Sequence, residues 1–259
     1  MLSMENVPKD ADVIVIHAPQ KDLGDDETAM LIEWMENGGQ LALITDYIGD
    51  GEMSNLLSLT ASMGMTVSNG LVIEGDSRMH VTRYPYYLLP DIESHETTDA
   101  LIEGGYYILM PLAQGIIETG DDVAQISYLL STSSGAYAKA AGLDIETTEK
   151  EDGDTEGVYH IGAASQSGDA KMVWFTSAEM LEDNINRTVA GANWNLFMNT
   201  MNWMCGQEES ISIRAKSLES ESLTVTGAQS SFWSVLMIGL IPLTFIAVGT
   251  VIVIRRKRR

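Results

Sequence analysis

The chain has 259 residues and a formal net charge of −22, with 15 basic residues against 37 acidic ones. Five of the basic residues are the last five of the chain, so the rest sets 10 basic side chains against 37 acidic ones and repels phosphate backbones and anionic headgroups, which excludes nucleic acid as a partner. The single cysteine, Cys205, excludes an intrachain disulfide.

The first elements alternate. Asp12 to His17 (DVIVIH) reads as a short buried strand. Asp25 to Asn37 (DDETAMLIEWMEN) reads as a helix, with Gly24 as N-cap, Glu27 three residues on, and Asp25 and Asp26 where negative charge suits the helix dipole. Ala29, Ile32 and Met35 or Trp34 are its expected apolar face, and Gly38 and Gly39 stop it. Gln40 to Thr45 (QLALIT) is a second strand, so a right-handed crossover and a parallel pair are expected. Glu52 to Met63 reads as a helix, and Leu71 to Glu74 and Tyr106 to Met110 (YYILM) as strands. Asp144 to Glu156 is a charged loop. Gly157 to Ala163 and Lys171 to Thr176 (KMVWFT) read as two further strands, with an antiparallel pair as one arrangement.

Ala192 to Met204 reads as a helix with Trp194, Phe197, Met198, Met201 and Met204 on or near one stripe, packed as core. Cys205 ends that apolar run, so a buried, inert thiol is expected. Gln207 to Ser231 is polar, with strand-like pieces (SISIRA, SLTVTG), and reads as a stalk or an edge. Phe232 to Ile254 is 23 residues without a charge, and Arg255, Arg256, Lys257, Arg258 and Arg259 follow at once. That run spans roughly 34 Å, enough to cross a hydrocarbon core. Membrane helices tolerate Pro242, and Phe232 and Trp233 suit the lipid–water boundary. The basic end is expected on the cytoplasmic side and the acidic domain outside. The amino terminus, MLSMENVPKDAD, has no basic segment followed by an apolar one, which conflicts with export of the domain. Either a segment precedes it, or the chain is tail-anchored with a cytoplasmic domain. The basic tail favours the first.

The expected organisation is an α/β extracytoplasmic domain over 1–206, a juxtamembrane segment over 207–231, a transmembrane helix over 232–254 and a basic tail over 255–259. Motifs for catalysis are wanting. Asp152, Asp154, Glu156 and Gly157 resemble the opening of a calcium loop, but its twelfth position is Ala163 where a bidentate Glu is needed, so a solvated loop is expected. Gly49 and Gly51 precede Ser54 where a dinucleotide fingerprint needs a third glycine, so no cofactor is expected. The sequence has no G-x-S-x-G elbow and no Walker A motif. His17, His80, His95 and His160 lack metal-ligand spacing. His17 and Asp46 end two adjacent strands and Glu74 ends a third, at the edge where open parallel sheets bind ligands. These three are the ligand-binding candidates, with solvated loop residues as the plainer reading.

The run VPKDADVIVIHAPQKDLGDDETAMLIEWMENGGQLALITDY resembles the start of the GldG-like auxiliary components of ABC-type transport systems. Later pieces are similar in the same order: GLVIEGD, YPYYLLPDIESHETTDAL, ILMPLAQGI, ISYLLSTSSGAYAK, and NLFMNTMNWMCGQEESISIRAKS before the apolar run. The resemblance implies a Rossmann-like layered domain of the glutamine-amidotransferase kind followed by one C-terminal transmembrane helix. It implies a membrane-anchored, non-catalytic subunit working with an ABC permease and ATPase. Members of this family usually also carry an amino-terminal membrane helix, which this sequence does not show. Amidotransferase relatives place a cysteine nucleophile after a strand. Thr45 and Asp46 stand at the comparable place here, so no catalytic residue is carried over. The rival expectations are an extracytoplasmic module for a sugar or peptide at the strand edge and, less favoured, a hydrolase or amidotransferase relative.

Overall fold

A computed structural model describes residues 7–8, 10–206 and 227–257 of the chain. In chain order the elements are β1 (Ile14–His17), α1 (Asp25–Glu36), β2 (Gln40–Ile44), α2 (Ser54–Ser62), β3 (Met65–Ile73), β4 (His80–Val81), β5 (Tyr84–Leu88), β6 (Asp91–Ile92) and α3 (Asp99–Glu103). They continue with β7 (Met110–Pro111), β8 (Gln114–Glu118), β9 (Gln125–Ser131), β10 (Tyr137–Lys139), β11 (Thr155–Glu156), β12 (His160–Ser167) and β13 (Ala170–Phe175). A 3-10 turn (Ala178–Leu181), α4 (Asp183–Thr188) and α5 (Ala192–Met204) complete the body.

The body is mixed α/β and rich in sheet. β1, β2 and β13 lie side by side and parallel, with Ile14 opposite Leu41 and Phe175 opposite Ile44. The other pairings are antiparallel, including the β12–β13 hairpin read from the sequence. The path across the large sheet runs β1-β2-β13-β12-β8-β3-β10-β11, and β4, β5 and β7 form a small second sheet. The parallel part is therefore a corner of three strands. Its alternation sorts side chains between two cores. Leu41, Leu43, Met172 and Trp174 face the core built with α1 and α2, through Leu31, Met35, Leu56 and Leu59. Ala42, Ile44, Val173 and Phe175 face the other, which takes in Ala192, Leu196 and Met204 of α5. Helices thus cover both faces of this corner.

Local choices support it. The Gly24 N–H donates to Glu27 Oε2 at 3.0 Å, the reciprocal half of a capping box, at the start of α1. The helix buries Thr28, Leu31 and Met35; of the expected face Met35 is buried, Ile32 and Trp34 pack partly buried against the same core, and Ala29 is exposed. Gly39 is required because the Trp34 ring lies across it: an added Cβ would sit 2.4 Å from the indole. Gly70 has φ of +94° within the register shift between Val67 and Leu71, and a Cβ there would meet the Lys139 carbonyl at 2.8 Å.

Several expectations need correction. In YYILM only Met110 is in a strand, and Tyr106 and Tyr107 are exposed while Ile108 to Met110 enter the core through an irregular segment. In α5 the buried side is Ala192, Asn193, Leu196, Thr200 and Met204, so Trp194 and Met198 face outward. The phase is set by Asn193, whose side chain bonds Leu109 N at 3.0 Å, Leu109 O at 2.7 Å and Met180 O at 2.8 Å. Cys205 caps this helix and is exposed, not buried. The charged loop 144–156 is not free in solvent. Lys139, fully buried, reaches Glu149 O at 2.9 Å, Glu151 Oε2 at 2.5 Å and Asp154 Oδ2 at 2.9 Å, and so pins the loop to β10.

Of the expected stalk or edge over 207–231, residues 207–226, with SISIRA and most of SLTVTG, lie outside the described residues, and residues 227–231 are helical. α6 (Gly227–Ser234) runs through a π-helical turn (Val235–Leu240) into α7 (Ile241–Lys257). The helix thus starts before residue 232 and continues past residue 254. By length and composition it is the one helix among the described residues able to cross a membrane. The π turn falls where Pro242 removes an N–H and presses on the Ile238 carbonyl four residues back. Ile238 and Phe245 are 79% and 74% exposed, a surface that water does not stabilise and lipid does.

Trp174 is buried completely between β2, α1 and α2, and its Nε1–H donates to Thr45 Oγ1 at 3.1 Å. Trp174→Ala is expected to cost about 3–5 kcal/mol, read as a lower denaturation midpoint of the chain in mild detergent.

Candidate functional site

The carboxyl ends of the three parallel strands open into a cavity of about 670 Å³. β1 contributes His17 and then Ala18 and Pro19, and β2 is followed by Asp46 and Tyr47. Glu52 and Met53 enter from the start of α2, Pro111 and Leu112 from the β7–β8 turn, and Ala178, Glu179, Leu181 and Glu182 from the turn after β13.

Buried polar contacts hold these segments. The Gln114 side chain accepts from Ile48 N at 3.0 Å and donates to Ile48 O at 3.1 Å and Ser68 O at 2.8 Å. The loop after β2 is thereby tied to β8 and β3. Thr176 Oγ1 donates to Gln114 O at 2.5 Å, which fixes the end of β13 beside it. Asp22, in the loop after β1, stands in for the missing N-cap of α2: its carboxylate accepts from Asn55 N and Leu56 N at 3.0 Å each. Partial burial opposes ionisation of Asp22, but the N–H groups of Asn55, Leu56 and Leu23 outweigh it and hold the carboxyl below its ordinary range. Three residues lining the cavity, Ala18, Met53 and Leu112, are non-glycine residues at φ of 46°, 51° and 51°. Each such conformation costs on the order of 1–3 kcal/mol, and such positions cluster at functional sites.

The charge of the cavity is one-sided. Asp46, Glu52, Glu179 and Glu182 line it, and among the described residues no lysine or arginine does. Among the described residues the ion pairs lie elsewhere, as in Arg78–Asp76 and Arg187–Asp183. Glu179 is half-buried. Burial pushes its carboxyl above the ordinary range, and the charges of Glu182 and Asp46 add to the shift. Tyr47 forms an aromatic wall, its hydroxyl pKa raised chiefly by burial.

Of the three residues nominated from sequence, the structure brings His17 and Asp46 together at this cavity and leaves Glu74 out. Glu74 is 2% exposed and turned inward. Its carboxylate accepts from Asp76 N at 2.8 Å, Ser133 N at 3.0 Å and Ser133 Oγ at 2.6 Å. The end of β3 is closed over by the turn after β9 and by β5, whose Pro85 carbonyl takes the Glu74 N–H, so this carboxylate holds a turn instead of facing a ligand. Sequence reasoning missed Glu179 and Glu182. The available signal was the strand KMVWFT: its parallel pairing with β2 makes the residues after Thr176 the third set at the open edge. Among the described residues no group of three or more His, Cys, Asp or Glu side chains is placed to hold a metal ion.

No protein-family model and no curated sequence matches the chain. Among solved structures the fold is similar to the "mmIFT52 N-terminal domain", at 16% sequence identity and a TM-score of 0.53, over 74% of this chain and 76% of that one. At that identity the likeness is one of fold alone.

A raised carboxyl pKa has a definite sign. Between the ordinary and the raised value the folded state binds more protons than the unfolded one, so Glu179 weakens the fold as pH rises through its folded pKa. Glu179→Gln is therefore expected to melt above the parent chain at pH 7, with the difference closing as pH approaches 4, measured by thermal melts across that range.

Proposed function

We propose that the chain is a non-catalytic, membrane-anchored auxiliary subunit of an ABC-type transport system, of the GldG-like kind its motifs resemble. Its α/β domain lies outside the cytoplasm and docks on the permease or on the transported substrate. The observation that carries this reading is an apolar helix followed at once by Arg255 to Arg259, after a domain of strongly acidic composition. Basic residues beside a span favour the cytoplasmic side. ATP hydrolysis falls to a partner subunit, since the sequence holds no Walker A motif. The parallel β1-β2-β13 corner, covered by helices on both faces, supports a Rossmann-like, glutamine-amidotransferase-like reading of the domain. No cofactor and no nucleic acid enters this role.

A second reading is favoured by one observation, the cavity at the strand edge. In it the domain is an extracytoplasmic module for a small ligand, a sugar or a peptide. The two readings are compatible in one protein.

Purification of the tagged chain from membranes solubilised in mild detergent tests the first. A multi-span permease and an ATPase are expected to co-elute in fixed proportion. Elution with neither, under conditions that keep other transport complexes whole, would count against it.

A further inference from the structure

We propose that the cavity at the ends of β1, β2 and β13 receives an organic cation: an ammonium or guanidinium head, borne by a small molecule or by the side chain of a basic peptide. This assignment rests on the ligand-binding reading above and names the chemistry of the ligand.

Four carboxylates reach the cavity from two separate parts of the fold: Asp46 and Glu52 from the loop between β2 and α2, and Glu179 and Glu182 after β13. None has an ion-pair partner among the described residues. Such a concave, one-signed site concentrates counter-charge and rejects anions. Among the described residues no three converge in the manner that holds a metal ion. A negative lining without a metal cage suits an organic cation such as a guanidinium, which is more weakly hydrated than a compact ion.

The remaining walls fit such a ligand. Tyr47 presents an aromatic wall, and Pro19, Pro111, Leu112 and Leu181 are apolar, as the stem of an amine or guanidine requires. Tyr87, outside the lining itself, has its hydroxyl pKa raised first by burial and further by the charges of Glu179 and Glu182. An aromatic ring in a cavity lined by carboxylates without cationic partners is an arrangement that attracts a cation. The volume, about 670 Å³, falls within the range of small-ligand sites and exceeds what a bare ion needs.

The test uses the full chain in zwitterionic detergent micelles and isothermal titration with four probes. These are agmatine, the neutral-backbone peptide acetyl-Gly-Gly-Arg-Gly-Gly-amide, the dianion adipate, and glucose. Saturable binding of agmatine is expected, weakened roughly tenfold in Glu179→Gln and in Asp46→Asn, as when a charge-assisted contact is lost, with adipate silent. Both variants remove a negative charge without removing bulk, and melting curves like or above that of the parent establish that they are folded. Equal binding of the peptide assigns the site to a side chain of a protein partner. Binding of agmatine alone assigns it to a small molecule. Agmatine and peptide both silent, or agmatine bound equally by parent and both variants, overturns the proposal. Glucose binding with both cations silent overturns the cation assignment and leaves the ligand-binding reading in place, whereas silence from all four probes removes both.

Discussion

Two strands buried on both faces set the terms for this domain. β2 and β13 send Leu41, Leu43, Met172 and Trp174 to one side and Ala42, Ile44, Val173 and Phe175 to the other. Neither face can be left to water, so α1 and α2 must cover one and α5 the other. The chain enters and leaves these strands in the same direction, which places the segments after His17, Ile44 and Phe175 together at one end. The cavity is a product of that arrangement. Its walls are the turns that three parallel strands require, held by the Gln114 amide and the Asp22 carboxylate.

Much of this corner is legible in the sequence because its signals are local. The strand–helix–strand from Asp12 to Thr45, the acidic first turn of α1, the paired glycines after it and the span of α5 all follow from periodicity and capping chemistry. Helix phase is less legible. Ala29 is exposed and Leu31 buried, and Trp194 and Met198 face outward, because the face is chosen by residues far along the chain. In α5 the choice is made by Asn193 bonding Leu109, 84 positions away. The Lys139 pin on the acidic loop and the Gln114 node are of the same kind. A lone lysine or glutamine carries no mark of the backbone groups it will satisfy after folding.

The same distinction explains the candidate site. His17 and Asp46 were found because they end strands with local signatures. Glu179 was missed because it depends on β13 pairing parallel to β2, some 129 residues away in sequence, as measured by the Trp174–Thr45 contact. Glu74 was nominated by the same rule, yet the end of β3 is sealed by Ser133 and Pro85. The strand-edge rule selects among strand ends only once it is known which ends remain open. What the carboxylates have in common is the want of a positive partner in a chain that places half of its arginines after the apolar run.

The proposed role depends on that helix being a membrane span with its arginines inward, so that the acidic cavity opens outside the cell. Cys205 offers a native reporter: it is the sole cysteine of the chain, it is exposed, and it belongs to the domain. Treatment of intact cells with a membrane-impermeant maleimide tests the orientation most directly. The account predicts full labelling of Cys205 in intact cells with no gain on permeabilisation. Labelling that appears only after the membrane is opened would place the domain in the cytoplasm and contradict it.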